Sequence, residues 1–189
     1  MNIFVLDKDP IKAAQLQCDK HVVKMIVESA QMLCTAHRLL DGTLEHITKQ
    51  AKNGNWRRAK EWRLSNPEKD AKFYKAVHMH HPCTAWTMES IANYEWHHQH
   101  LEALCNEYTY RYGKVHNTEK LLLEALIDPP TSIPEGLMTQ FKLAMKSNPD
   151  CMHPDDPVRS YREFYQTKQG RFKMKWTKRD VPDWFIKHA

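Results

Sequence analysis

Glycine is scarce in this 189-residue chain, with only 5 in all. A phosphate cradle of the P-loop or dinucleotide type is built from closely spaced glycines, and neither GxxxxGK[ST] nor GxGxxG occurs. Any phosphate site here must therefore use Lys, Arg, His or helix N-termini. Long apolar runs are missing too: nothing approaches the roughly 18–20 residues that span a bilayer, and Met1 to Lys12 carries acids where a secretory leader would have an apolar core. No CxxC pair exists among the five cysteines (Cys18, Cys34, Cys83, Cys105, Cys151), which read as free thiols packed as small hydrophobes. GxSxG, HExxH and the calcium-loop pattern are also absent, and the reading assigns neither cofactor nor metal. These absences predict a protein of the cytoplasm with no membrane partner; the sequence sets no oligomeric state.

What is present is a polar chain with a core. Hydrophobic residues make up 41% and the formal net charge is +5, while the mean hydropathy is -0.72. Few glycines and abundant Leu, Lys, Glu, Ala and Met favour helices. The reading is an all-α fold, one helical domain over 1–189 with two long core helices at about 10–40 and 82–112. Met1 to Leu6 is the one candidate for a minor strand. Asp9-Pro10, Asn66-Pro67 and Asp156-Pro157 are cap-plus-first-turn signals. Residues 43–65, charged and carrying Asn53-Gly54-Asn55, read as a surface excursion with short helices anchored by Trp56 and Trp62. A short helix is expected over 136–145, and residues 168–189 form a basic-aromatic tail.

Four places could carry chemistry. On a helix, His21, Lys24 and Glu28 fall at i, i+3 and i+7 and share a face, with Asp19 and Lys20 at its start. Partial burial among Val22, Val23, Ile26 and Val27 would suit these groups to acid–base or nucleophilic work; the alternative is an exposed Lys24–Glu28 pair. A second region holds six His in 23 residues, from His78 to His100, with His81-Pro82, Trp86 and Tyr94 among them. Such a cluster invites a metal, though the missing HExxH and the spacing disfavour one; the other reading is His and Trp packing about a helix, with one His in a polar site. Third, the loop His153-Pro154-Asp155-Asp156-Pro157 leads into Arg159, Tyr161, Arg162 and Tyr165; Arg159, Arg162 and Tyr165 could offer phosphate donors beside a ring, and the alternative is simple N-capping by Asp156. Fourth, from Lys168 to Lys187 the tail has seven cations against two acids, interleaved with Phe172, Trp176, Trp184 and Phe185. Lys168, Arg171, Lys173 and Lys175 could track a nucleic-acid backbone while rings stack on bases.

The stretch Cys18-Asp19-Lys20-His21-Val22-Val23-Lys24-Met25-Ile26-Val27-Glu28, followed further on by His81-Pro82-Cys83-Thr84-Ala85-Trp86, resembles two motifs of the pyrimidine-dimer DNA glycosylase family. The likeness covers roughly the first 115 residues. The whole chain, with its Pro154-Asp155-Asp156-Pro157 loop, also looks like uncharacterised proteins of large tailed phages. The resemblance implies an all-helical fold and chemistry on DNA, with Asp19, Lys20, Lys24, Glu28, His81 and Trp86 at the matched positions; for a phage protein the compartment is the host cytoplasm. The family's glycosylase attacks the sugar carbon with an N-terminal amine freed by removal of Met. Asn2 is too large for efficient removal, so Met1 is expected to stay and Lys24 becomes the candidate for a Schiff base.

The functional expectation is thus a DNA base- or sugar-processing enzyme. Lys24, Glu28, His21 and Asp19 would be catalytic, and Lys20, His81, Trp86, Tyr94, Asp155, Arg159, Tyr161, Lys168, Arg171 and Lys173 would hold DNA. A non-catalytic module binding nucleic acid or a host protein, or an enzyme of free nucleotides, are the competing classes. An enzyme should gather His21, Lys24, Glu28, His81 and Asp155 at one pocket; a binder should scatter them.

Overall fold

The structure, a computed structural model, describes residues 1–187. Its elements run α1 (Pro10–Gln15), α2 (Asp19–Asp41), β1 (Thr43–Gln50), β2 (Trp56–Arg63), α3 (Pro67–Lys72), α4 (Pro82–Thr87), α5 (Ile91–Tyr112) and α6 (Pro157–Gln166), with short π and 3-10 turns between them. The fold is therefore a mixed α/β small domain, about 48% helical with a two-stranded antiparallel sheet. That overturns the all-α expectation in three places.

First, residues 43–63 form a β-hairpin and no helix. Thr43 pairs with Arg63 and Gln50 with Trp56, and Gly54 closes the turn at φ 85°, a conformation that glycine adopts without strain. The Asn-Gly signal and the β-branched Thr43, Ile47 and Thr48 favour this ladder over the helix that the charge pattern suggested. Second, each long helix is broken in two. α1 stops because remote side chains take its last carbonyls: Arg111 donates to Gln15 O at 3.1 Å and the Trp176 indole to Leu16 O at 2.9 Å. Cys18 is extended, and its N–H bonds the Tyr165 hydroxyl at 2.8 Å. Between α4 and α5 the chain turns at Met88–Ser90, and Ser90 caps α5 by accepting from Asn93 N–H at 3.2 Å.

Third, residues 136–145 are not helical. Their backbone is bonded by the core instead: Asn93 accepts from Thr139 N–H, the Trp86 indole donates to Thr139 O, and Tyr161 donates to Lys142 O. Nor is the N-terminal segment a strand. Ile3 to Leu6 are at most 5% exposed, but Phe4 sits at φ 55° and Arg162 donates to Leu6 O at 2.8 Å. Tertiary partners outweigh local periodicity at each of these points.

The core forms where α2 and α1 pack on α5 and α4 packs on α2, around Leu33, Met25, Trp86, Tyr94 and Leu104. The five cysteines are buried and free. Among the described residues no helix is long and apolar enough to cross a membrane. Arg38, on α2 and fully buried, ties the hairpin and the α3 segment to the core. Its guanidinium donates to Trp62 O (2.7 Å), Tyr74 O (2.7 Å), Phe73 O (2.9 Å), Asp70 O (2.8 Å) and the Asp70 carboxylate (2.5 Å). Burial alone would raise the Asp70 carboxyl, but hydrogen bonds from Arg38, Leu64 N–H and Arg63 hold it well below the usual carboxylate range. Five acceptors left without a donor are costly to bury. Replacing Arg38→Met should therefore lower the unfolding free energy by about 3–5 kcal/mol in urea melts at pH 7; a loss under about 1 kcal/mol would show that Arg38 is not the anchor.

Candidate functional site

The face of α2 predicted from spacing opens into a cleft of about 410 Å³. Lys20, His21, Lys24 and Glu28 form one wall. The N-terminal segment contributes Met1, Asn2 and Phe4, and the end of α6 with the 3-10 turn after it contributes Phe164, Lys168, Arg171 and Phe172. Larger hollows lie under the hairpin, at about 810 Å³, and within the tail, at about 630 Å³. Glu61, the carboxylate of the first, is bonded by Lys49, Lys75 and Arg63, and the second has no acid or His in its lining. The hairpin hollow also holds His80 and three lysines, but the α2 cleft is where a buried imidazole and a buried amine, His21 and Lys168, meet a carboxylate.

Glu28 is the hub. Its Oε1 lies 3.1 Å from Lys24 Nζ, and its Oε2 accepts from Asn2 N–H at 3.0 Å and lies 3.5 Å from the Met1 amino group. His21 is stacked on Phe4 at 4.7 Å and meets the Phe172 edge at 5.4 Å. Burial, aided by the charges of Lys24, Lys168 and Lys20, pushes its imidazole down to about 3, so the ring is neutral at pH 7. Tyr165 accepts from Cys18 N–H and lies 2.7 Å from His21 Nδ1. With its oxygen so occupied, the phenol's hydrogen goes to Nδ1, and this network assigns His21 as the Nε2–H tautomer. The ring's remaining group is then a donor.

Lys168 is 8% exposed, with Nζ 3.3 Å from the centre of the Phe164 ring. Burial, then the neighbouring charge of Arg171 and more distantly of Lys24, lowers its ammonium to about 8, against a small opposing effect of Cys151. Lys24, by contrast, is 60% exposed and ion-paired. Lys168, on the tail side, is therefore a buried amine of lowered pKa at the cleft, where the sequence suggested only a backbone contact. Lys20 lies 4.4 Å from the centre of the Phe172 ring.

No family model, curated protein or solved structure matches this chain. The placement of its residues thus rests on the geometry alone. Of the groups expected to converge, His21, Lys24 and Glu28 do so, joined by Lys20, Lys168 and Arg171. His81 caps α4, accepting from Cys83 N–H at 3.2 Å, and lies close enough to Met1 and Glu28 to feel both. Burial leads in lowering its pKa, with the N-terminal charge and His78 adding to it; it is not part of the cleft lining. Asp155 is exposed on its loop, away from the cleft. Arg159 is exposed and paired with Glu163 at 2.9 Å.

Three rings expected to stack on substrate belong to the core. Trp86 is 1% exposed and Tyr94 is wholly buried, with its hydroxyl bonded to Leu126 O and His37; Tyr161 is 1% exposed. Lys173 is exposed and lines the tail hollow. The histidines do not converge either. His97 bonds Thr87 at 2.7 Å and His100 stacks on Trp96, both wholly buried. His98 contacts Leu123 O. Burial lowers His97, His100 and His37, the last to about 4. Among the described residues no group of three ligand-type side chains could hold a metal.

Asp19 is a clamp outside the cleft lining. It accepts from Arg111 (2.8 Å), Thr177 N–H (2.9 Å) and the Thr177 hydroxyl (2.7 Å), while its own N–H donates to Lys175 O (2.8 Å). Burial alone would raise its carboxyl; these partners override that and hold it below its ordinary value. Arg111 also pairs with the buried Glu107, which takes Arg179 from the tail. Asp19→Ala should cost about 1–3 kcal/mol at pH 7 and speed tryptic cleavage after Lys173 and Lys175, whereas Lys24→Ala should do neither. Unchanged cleavage in Asp19→Ala would show that the tail is held without the clamp.

Proposed function

We propose that the chain is a DNA base- or sugar-processing enzyme of glycosylase/lyase type, acting in the cytoplasm of the cell that makes it. One observation carries the reading: an amine lowered to about 8, Lys168, opens on the same cleft as the Glu28 carboxylate. Lys20, Lys24 and Arg171 at that cleft suit a phosphate-bearing substrate, and the half-buried Phe172 ring offers aromatic surface to a base. The sequence likeness to the pyrimidine-dimer glycosylase family points the same way. A lysine whose ammonium burial weakens, on a cleft that also holds a carboxylate, fits acid–base or nucleophilic work better than passive binding.

In this scheme neutral Lys168 Nζ attacks C1′ of a deoxyribose. The glycosidic electron pair leaves with the base, which takes up a proton, and Nζ gives one up; the C1′–O4′ bond then breaks, O4′ takes up a proton, and an iminium is left. On a sugar that has already lost its base, the same amine condenses with the C1′ aldehyde and releases water. Glu28 stabilises positive charge as it develops at C1′, and His21 Nε2–H donates to a sugar or phosphate oxygen. Lys24 holds Glu28 in place, and the cleft draws in the strand by its charge.

The test is borohydride trapping on an oligonucleotide with an abasic site. A covalent adduct should form with the wild type, map to Lys168, and fall by at least about a hundredfold in Lys168→Met, with Glu28→Gln slowed by about 10²–10³. A lowered lysine is nucleophilic in its neutral form. The trapping rate should thus climb with pH, from about a tenth of maximum at pH 7 to a plateau above about 9. No adduct in the wild type, or a rate that falls as pH rises from 7 to 9, would refute the lyase reading.

A further inference from the structure

The hairpin is the least integrated part of the molecule. It is tied to the rest at its base: α2 packs on β2, Arg38 grips Trp62 O, and Arg63 and Glu61 pair with Asp70 of α3 and with Lys75, respectively. Gly42 is required there, because a side chain would collide with the carbonyl oxygens of Arg38 and Arg63. Beyond the base, two eight-residue strands extend about 26 Å at roughly 3.3 Å per residue. An isolated two-stranded ribbon is marginal in water, and its open edges are a hazard. Such an element persists where something is made to receive it.

Its charge is not spread evenly. Residues 43–63 hold six cations and two acids, and the acids are opposite each other, Glu45 across from Glu61. Directly paired residues share a face of an antiparallel ladder. Both acids therefore lie on one face, where Arg63, Lys49 and Lys75 bind them. The other face has none. There Trp56 lies across from Gln50, Arg58 from Thr48 and Lys60 from His46. Arg58 and Lys60 are exposed and, among the described residues, enter no ion pair. Trp56 is 69% exposed at the ribbon's end, where the sequence had suggested a packed anchor. Long cations beside a bare indole, with nothing acidic on their face, complement a polyanion carrying flat apolar groups.

We infer that this ribbon is a DNA-binding arm whose acid-free face, carrying Trp56, Arg58 and Lys60, seats in the groove of duplex DNA. The major groove, about 12 Å wide, admits a two-stranded β-ribbon, and a ribbon projecting from one end grips duplex beside whatever occupies the cleft. Arg58 and Lys60 contact phosphates, while Trp56 reaches past them towards the bases. The inference shares its DNA partner with the proposed function and none of its residues, so the two can fail separately.

The experiment is anisotropy binding of a labelled 20-base-pair duplex and the matching single strand across salt. It compares wild type, Arg58→Gln/Lys60→Gln, Trp56→Ala, and a control, Lys12→Gln/Lys114→Gln, that removes the same charge from exposed sites elsewhere. Each lost phosphate contact lowers the slope of log affinity against log salt by about 1. The hairpin double variant should thus lose about 2 and bind duplex at least about tenfold more weakly at 50 mM salt, while the control keeps its slope. Trp56→Ala should weaken duplex binding about fivefold or more with the slope retained. Thermal melts of all variants should coincide, since the altered side chains are exposed. Equal slopes in variant and control, a loss confined to single strands, or no duplex binding by the wild type would overturn the inference. The hairpin variant should still trap a short abasic oligonucleotide at saturating protein, so that a failure of the arm and a failure of the cleft chemistry are told apart.

Discussion

A buried chain of charges sets where everything else in this molecule can be. Glu107 and Arg111, four residues apart on α5, are 3% exposed each. Arg111 reaches Asp19 at the start of α2, and Glu107 reaches Arg179 in the tail. Partial pairing inside a core costs several kcal/mol, whereas full pairing roughly breaks even. The network therefore contributes little net stability and a great deal of specification: other placements of the tail would strand a charge. Trp176, donating to Leu16 O, and Lys175 O, accepting from Asp19 N–H, fix the same seam.

The cleft follows from that seam. Held at Thr177 and Arg179, the tail brings Phe172 and Arg171 back over α2, and the 3-10 turn that carries Lys168 closes the far wall. Tyr165 then sits between Cys18 N–H and His21, so the helix break at Cys18 and the orientation of the imidazole share one hydroxyl. A break in periodicity that looks like a defect in a long helix is the point where the cleft-lining face of α2 is aligned.

The legible part of this fold was local. Cap signals at Asp9, Asn66 and Asp156 open helices where proline follows, and the i, i+3, i+7 spacing of His21, Lys24 and Glu28 put three polar groups on one wall. What could not be read was set by partners far away in sequence. Arg111 and Trp176 end α1, and Asn93 and Trp86 hold residues near 139 out of a helix. The hairpin carried an Asn-Gly turn and β-branched residues, but its cations imitated a solvated helix. Trp86, Tyr94 and Tyr161 were drawn into the site reading because rings beside His and Arg look like stacking platforms; their burial makes them core. The importance of Lys168 had no sequence signature, since a lysine becomes a weak base through its surroundings, here the Phe164 ring and Arg171.

The neutral, enclosed histidines have a consequence for where such a protein can survive. His21, His37, His97 and His100 are each at most 6% exposed, and burial lowers all four below their ordinary value. Unfolded, each would take up a proton near pH 6.5. Stability is therefore complete above that pH and erodes below it, by up to about 1.4 kcal/mol per pH unit for each ring. Four rings draining a margin of about 5–15 kcal/mol leave little room for acid. The interior thus makes stability a function of proton concentration: the fold is firmest in a neutral medium and weakens as the medium acidifies.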